Sequence, residues 1–555
     1  MKYIVFIAIV FAALFYSKTS FCTKEDYLWY SLPILIFYSL STLIIKGHKL
    51  RINLVDILLL ALLIDSIFVN YINYTIYLEN TEFIIAFSGF ILYFYLRERS
   101  DSEFCQFFLI VLSLIASFQI FLSFYQFAIA LNVKNVKGTF VNSAYDAQFV
   151  VLSLPAFFYL INKYLNTSWK KIAVKVLIVI IALIIIYITK SRTSIISMLV
   201  MAFIQFKIKL NKKTVLIVSL SAIILFSFLI CFKYASTTGR VLILKVALCN
   251  LKEYFPFGIG ISKFSIRYPI WQATYFYQNP LSKYILNADD IPLPFNGLMQ
   301  FLIENGLLWF ILFSILIITT LMNKRNKSDL PLKEMLIILI IQATTSNIFQ
   351  VNIYIIILFT LIALLNSAHI PNSNFKFSGS IPSRINRIAT FMEGGILIFL
   401  IIVCSHQLFI HFRWKNTNER SSLKDYESLY PDLKKNQFFL YEFAIKASEV
   451  EDCKKSISLL CEMKHYSNSY NLYILLGLNY MSLKNYDDAA KEFQFISNYI
   501  PYKLYPKYLL MVNSKLSGDS AKMKFYANYL LNMHPKINSS FAGQLKDEAK
   551  KILEH

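Results

Sequence analysis

The chain has 555 residues, of which 57% are apolar and only 16% are charged. Soluble domains carry about 25% charged residues, so this composition excludes a string of ordinary soluble domains and predicts that lipid surrounds most of the chain. The chain has 55 Lys and Arg against 33 Asp and Glu. In a membrane protein this excess is typical of basic cytoplasmic loops, so it does not indicate a nucleic-acid partner.

Apolar runs predict an all-α, polytopic membrane bundle of about 12–13 spans. The run at 335–365 is too long for one helix across ~30 Å of hydrocarbon, and its polar middle predicts a hairpin of two helices. Asp65 is expected to pair with a cation of another span, and Asp56 to reach water. The runs lie at about 3–16, 27–45, 54–77, 83–96, 104–131, 148–161, 172–189, 194–206, 214–232, 307–322, 335–365 and 395–412.

Lys and Arg collect on alternate loops, which predicts a cytoplasmic N-terminus. The large loop 233–295 and everything after 413 then face the other side of the membrane. The turn between the predicted spans at 172–189 and 194–206 breaks this bias, because it holds Lys190 and Arg192 on the outer side. An arginine fork that clamps phosphate oxygens explains the exception, and contact with lipid headgroups is the alternative.

The loop 233–295 combines cations, aromatic rings and amides. Flat apolar faces beside hydrogen-bonding groups suit a sugar ring, and cations suit a phosphate. The candidate substrate-binding residues are therefore, besides the two cations above, Arg240, Arg267, Tyr268, Gln272 and Asn296.

The C-terminal part resembles tetratricopeptide repeats. One helix pair matches the pattern at seven positions, and Pro535 follows Pro501 by 34 residues with Gly518 in the turn between them, which predicts a second pair. A third pair is expected around 439–463. Such repeats form an α-solenoid whose concave face typically binds a protein, so a protein partner is expected, or else a cap on the membrane domain. The seven matching positions are Tyr473, Leu476, Gly477, Tyr480, Ala489, Phe493 and Pro501.

These patterns predict three parts: a membrane domain at 1–412 that includes the loop 233–295, a linker at 413–435, and helical repeats at 436–555. No P-loop, GxSxG or HExxH motif is present, and the seven cysteines lack metal-ligand spacing. We therefore expect neither a metal nor a cofactor.

Four motif-bearing stretches, in order, resemble the O-antigen ligase family of polytopic glycan transferases. The resemblance covers roughly 1–412 and implies a fold like that of other polytopic (GT-C) glycosyltransferases. The segments are 137–142 (KGTFVN), 191–193 (SRT), 239–240 (GR) with 256–260 (PFGIG), and 289–298 (DDIPLPFNGL) followed by 304–306 (ENG).

The resemblance implies a metal-independent transferase at the periplasmic face of the bacterial inner membrane. Its donor is a polyprenyl-pyrophosphate-linked glycan, and its acceptor is a lipid A core, a growing polysaccharide or a protein hydroxyl. Arg192 and Arg240 match the family's phosphate-binding arginines. Attack by the acceptor oxygen then releases polyprenyl pyrophosphate.

One departure concerns the catalytic base. Family members commonly carry a His in the large loop, whereas 233–295 has none. The base is then a carboxylate, and the candidates are Asp289, Asp290 and Glu304. The alternative is a non-catalytic membrane scaffold of a polysaccharide assembly complex. A transporter, a third class, usually shows internal repeats between its halves, which we do not find.

Overall fold

The computed structural model describes residues 3, 6–7, 50–74, 81–130, 136–205, 234–323, 329–367, 377–379, 383–417, 422–537 and 539–554. The spans expected at about 3–16, 27–45 and 214–232 lie wholly or mostly outside these residues. The chain divides into two compact units. The membrane unit comprises Met1–Ser227 and Phe295–Lys415, and the loop–tail unit comprises Phe228–Pro294 and Asn416–His555.

The first half of the membrane unit is a series of apolar helices. Strand β1 (Leu50–Ile52) precedes them. They are α1 (Leu54–Ile72), α2 (Thr81–Arg99), α3 (Ser102–Ala130), α4 (Ser143–Tyr164), α5 (Ser168–Thr189) and α6 (Arg192–Gln205).

The loop that follows is itself helical. It holds α7 (Tyr234–Leu251) and α8 (Phe264–Gln278), with short 3-10 turns at Lys252–Tyr254 and Ile285–Asn287.

The second half of the membrane unit begins with α9 (Gly297–Met322), which Gly306 breaks by a φ of 86° and a ψ of −178°. Next come α10 (Leu330–Thr345) and α11 (Asn352–Leu365), with the 3-10 turn Ile348–Gln350 between them. The two-helix hairpin predicted from the run 335–365 is therefore confirmed. Strand β2 (Phe377–Gly379), antiparallel to β1, and α12 (Ser383–Lys415) complete the unit.

Among the described residues, α1, α3, α4, α5 and α9 are long and apolar enough to cross a membrane. Together with the shorter apolar helices, they make the chain a multi-pass, helical membrane protein, as the composition predicts.

A buried ion pair joins the first two helices of this unit. Asp56 lies 2.7 Å from Arg97 and accepts a 2.7 Å hydrogen bond from the Tyr93 hydroxyl. Both charged side chains are buried, so the expectation that Asp56 reaches water is wrong. No ion pair joins Asp65 to a described residue, so the cation expected beside it is not found in that part of the chain.

The tail consists of paired helices. They are α13 (Leu423–Leu433), α14 (Gln437–Glu449), α15 (Cys453–Met463), α16 (Tyr470–Ser482), α17 (Tyr486–Tyr499), α18 (Leu504–Leu516), α19 (Ser520–Asn532) and α20 (Ser540–Glu554). The expected linker 413–435 thus contains the end of α12 and a capped helix, α13, that buries Tyr426, Leu429 and Leu433.

The tail turns recur at the expected period. A residue with positive φ followed by an Asx N-cap separates the two helices of each pair, at Glu451-Asp452, Lys484-Asn485 and Gly518-Asp519. Within the central pair, a Cβ placed on Gly477 would collide with the ring of Phe493, so close helix approach requires glycine there. The assignment of these pairs as tetratricopeptide repeats stays a prediction.

Candidate functional site

The segment 137–142 is a tight turn held by two glutamines of α3. Gln126 accepts the Lys137 and Gly138 N–H groups, each at 2.9 Å, and Gln119 accepts the Thr139 N–H at 3.0 Å. Gly138 has a φ of +60°, and a Cβ there would collide with Gln119 and Asp146. The turn therefore requires glycine, and Asn142 starts α4 by accepting the Ala144 N–H at 3.0 Å.

Arg192 is the first residue of α6, and only Lys190 and Ser191 separate it from the end of α5. Lys190 caps α5 in the left-handed region (φ 52°), and the Ser191 and Ser194 hydroxyls are 2.8 Å apart. The next residue, Thr193, accepts a 3.0 Å hydrogen bond from the Thr345 hydroxyl at the end of α10. We name residues 190–193 the arginine turn. The hydrogen bond to Thr345 attaches this turn to the hairpin between α10 and α11.

Asn296 and Glu304 lie on the first, separate segment of α9. The Asn296 side chain caps the helix by accepting the Met299 N–H at 3.0 Å, and Gly297 donates its N–H to the Ser346 carbonyl at 3.2 Å. Glu304 is buried and accepts a 3.2 Å hydrogen bond from the Gln300 amide. The kink at Gly306 follows it by two residues. This segment is thus held against the same hairpin as the arginine turn.

The hairpin between α10 and α11 is rich in buried amides. Gln342 donates to the Gln148 carbonyl at 3.0 Å, and Ser346 donates to the Gln148 side chain at 3.3 Å. Asn347 and Asn352 are 3% and 1% exposed, yet within the described residues none of their side-chain amide atoms has a hydrogen-bond partner. A buried polar group without a partner costs about 1–3 kcal/mol, which a polar ligand would offset.

Three of the four motif segments therefore meet in the membrane unit around this hairpin. The Tyr145 hydroxyl, just after the first motif, contacts the Asn347 carbonyl at 3.4 Å. We name the set of Gln148, Asn347, Gln350 and Asn352 the amide cluster. The sequence predicted these hairpin positions only as a turn. The missed signal is the number of amides in a span that is otherwise apolar.

The remaining predicted residues lie in the loop–tail unit. Arg240 is on α7 and half-buried. The Arg267 guanidinium of α8 lies 5.5 Å from the centre of the Tyr254 ring. Lys190, Arg192, Asn296 and Glu304 belong to the other unit.

Tyr268 and Gln272 of α8 are fully buried inside the loop–tail unit. Tyr268 stacks on Phe264 with ring centres 4.9 Å apart, and burial raises the pKa of its hydroxyl. Gln272 donates to the Tyr499 carbonyl at 2.9 Å and to the Asp289 carbonyl at 3.1 Å. Both side chains join the loop to the tail, a role that the sequence did not indicate.

The two candidate aspartates differ in their surroundings. Asp290 accepts the Tyr499 hydroxyl at 2.9 Å and the Tyr470 N–H at 3.1 Å, and desolvation raises the pKa of its carboxyl. Asp289 is exposed, and its carboxylate accepts the Asp290 N–H at 2.9 Å. Both aspartates are exposed, and they differ because each carboxylate oxygen of Asp290 accepts a hydrogen bond from the tail.

A second contact fixes the other end of α8. Asn468 of the tail donates its backbone N–H to the Ser265 carbonyl at 3.3 Å and its amide to the Ile266 carbonyl at 2.8 Å. Its own side-chain oxygen accepts the Tyr473 hydroxyl at 2.9 Å. The loop and the tail thus form one hydrogen-bonded body.

Comparison with known proteins gives one family. The family model described as O-Antigen ligase matches residues 177–314, from α5 into α9. No curated protein matches the chain. Within the described residues, no group of three or more His, Cys, Asp or Glu side chains could hold a metal ion.

Proposed function

With the O-antigen ligase match over residues 177–314 as premise, we propose that the protein transfers a polyprenyl-pyrophosphate-linked glycan to an acceptor hydroxyl. The family supports glycan transfer in polysaccharide assembly, and a multi-pass membrane protein suits a donor with a polyprenyl tail. We place the reaction at the periplasmic face of the bacterial inner membrane. The observation that carries the proposal is the convergence of the arginine turn, the first segment of α9 and the amide cluster.

In this proposal, Arg192 and Arg240 bind the pyrophosphate. A carboxylate removes the proton of the acceptor hydroxyl, and the oxygen forms a bond to the anomeric carbon. The bond from that carbon to the phosphate oxygen breaks, and polyprenyl pyrophosphate leaves with the electron pair. The guanidinium groups stabilise the negative charge that develops on the leaving group. The step uses no metal ion.

We assign the base to Asp289 or Glu304, since both oxygens of Asp290 accept hydrogen bonds from the tail. The amide cluster supplies donors and acceptors for sugar hydroxyls or phosphate oxygens. The acceptor is a lipid, a polysaccharide or a protein hydroxyl.

The proposal is tested with the full-length protein in nanodiscs and a polyprenyl-pyrophosphate-linked glycan. Release of polyprenyl pyrophosphate should fall at least ~100-fold in Arg192→Ala, as when one charge-stabilising donor is removed from an active site. Lys170→Ala removes an exposed cation at the other end of α5 and is the matched control. Release at the wild-type rate by Arg192→Ala would contradict the proposal.

The missing histidine favours a second candidate, a non-catalytic scaffold of a polysaccharide assembly complex. A scaffold would release no carrier, and cells carrying Arg192→Ala would still make their surface glycan.

A further inference from the structure

A cavity of about 220 Å³ lies within the loop–tail unit, where the end of α8 meets α17, α18 and α19. Phe276 and Pro280 of the loop form one wall, and the tail helices form the others. Neither the arginines nor the candidate bases line it. The cavity is therefore distinct from the residues to which transfer is assigned above.

Two amides of α17 face this cavity. Gln494 and Asn498 are one helical turn apart, and the Gln494 amide nitrogen donates to the Asn498 oxygen at 3.1 Å. Because each amide carries two donor hydrogens and one acceptor oxygen, the pair keeps donors and an acceptor for neighbouring hydroxyls.

Aromatic rings of α19 form the opposite side. Phe525 and Tyr529 are 61% and 48% exposed, and the Tyr526 hydroxyl is 3.5 Å from the Gln494 oxygen. Exposed large apolar rings beside hydrogen-bonding groups provide a flat face with polar contacts at its edge. That combination matches a sugar ring, which has apolar faces and polar edges.

Lys507 is the charged group of the cavity. It is 4% exposed, and it donates to the Pro501 carbonyl at 2.6 Å and to the Ser497 carbonyl at 3.5 Å. An ammonium has three N–H donors, so one stays available. Among the described residues, no carboxylate lines the cavity, and burial lowers the pKa of Lys507 to about 7. A buried cation without an anion is costly, so an anionic ligand would be favoured.

We propose that this cavity binds one carboxylate-bearing sugar unit of a glycan, with the carboxylate on Lys507, the hydroxyls on Gln494 and Asn498, and the ring against the aromatic side chains of α19. The volume is below the ~300–1,000 Å³ typical of drug-sized ligands, so it suits a single ring. The choice of a glycan unit rests on the proposed function, whereas the cavity itself does not.

The probes are glucuronic acid, glucose and the tripeptide trialanine, titrated calorimetrically into the full-length protein in nanodiscs. Glucuronic acid should bind at least tenfold more tightly than glucose or trialanine. Lys507→Met should weaken glucuronic acid binding at least tenfold. Gln494→Ala, at an exposed position that folding tolerates, should weaken it severalfold, and the exposed control Lys524→Met should leave it unchanged.

Arg192→Ala separates this proposal from the proposed function, because it should bind glucuronic acid like the wild type even though transfer is lost. Equal affinity for glucose would overturn the role of the carboxylate, and equal affinity for trialanine would overturn the sugar class. Absence of binding to the folded wild type, or unchanged binding in both Lys507→Met and Gln494→Ala, would overturn the site.

Discussion

The amide cluster of the membrane unit and the residues that join the loop to the tail differ in how far their polar side chains are hydrogen-bonded. In the membrane unit, Asn347 and Asn352 are buried while their amide atoms lack partners within the described residues. In the loop–tail unit, the buried Gln272 donates its amide and the exposed Asp290 accepts hydrogen bonds between the loop and the tail, while the Gln272 side-chain oxygen has no partner within the described residues. Unsatisfied groups that a fold retains at a cost indicate a ligand, whereas satisfied ones hold the fold together. The comparison therefore assigns substrate contact to the amide cluster of the first unit, and attachment of the loop to the tail to Gln272 and Asp290 of the second.

After Arg192→Ala, the largest effect should come from the amide cluster. The double variant Asn347→Ala/Asn352→Ala should lower carrier release by about 10- to 100-fold, since it removes donors that we propose contact the substrate. Its melting temperature should not fall, because amides that have no partner contribute no net stability.

Asn366→Ala is the matched control for this variant. Asn366 is equally buried, but its amide donates to Ile362 at 2.9 Å and to Thr320 at 3.3 Å. This variant should lose stability and keep its turnover when folded. The comparison between the units would be wrong if the double variant lost stability and kept turnover.

Asp290→Ala should weaken the attachment of the loop to the tail by about 1–3 kcal/mol, because it leaves the Tyr499 hydroxyl and the Tyr470 N–H without their acceptor. Hydrogen exchange at the Tyr470 amide should accelerate, and the melting temperature should fall. The exposed Asp547→Ala should change stability by less than about 0.5 kcal/mol. Unchanged exchange at Tyr470 would exclude the bond.

Gly477→Ala should destabilise the tail by about 1–3 kcal/mol, because the added Cβ meets the Phe493 ring. Gly543→Ala is the opposite case, since nothing lies within 4 Å of its Cβ in α20. That substitution should stabilise the helix by about 0.5–1 kcal/mol. Thermal unfolding of both variants measures the difference, and equal shifts would refute the close packing.

The smallest effect concerns pH. Burial lowers the pKa of Lys507 from 10.5 in its ordinary state to about 7. Between these values the unfolded chain binds the proton and the folded chain does not, so this group makes stability rise with pH across that window. As the pH rises through this window, the melting temperature of the wild type and of Lys524→Met should rise by about 2–4 °C for each kcal/mol of folding stability gained. The melting temperature of Lys507→Met should not show this rise. A parallel rise in Lys507→Met would contradict this.

The sequence predicted the helices well, because local patterns determine them. Apolar runs gave the spans, and the polar middle of 335–365 correctly predicted a hairpin. Gly477 and Gly518 indicated the helix pairs. Long-range contacts were not accessible in the same way. Gln272 and Tyr499 meet across 227 residues, and no local periodicity encodes such a meeting.

The candidate site shows the same limit. The sequence analysis singled out Arg192 as a charge at the outer surface and Asn296 as part of a motif. It interpreted the amide cluster only as a turn. Asp290 illustrates the reverse, because an acidic pair in a loop suggests catalysis until its hydrogen bonds to the tail are seen. Residue type predicts possible chemistry, but partners decide whether a group is available for it.

The division of roles is tested most directly by carrier release from Arg192→Ala and Asp290→Ala, measured side by side at a temperature at which both are folded. We expect Arg192→Ala to lose at least ~100-fold in release and Asp290→Ala to stay within severalfold of the wild type. Normal release by Arg192→Ala together with complete loss in Asp290→Ala would contradict the account.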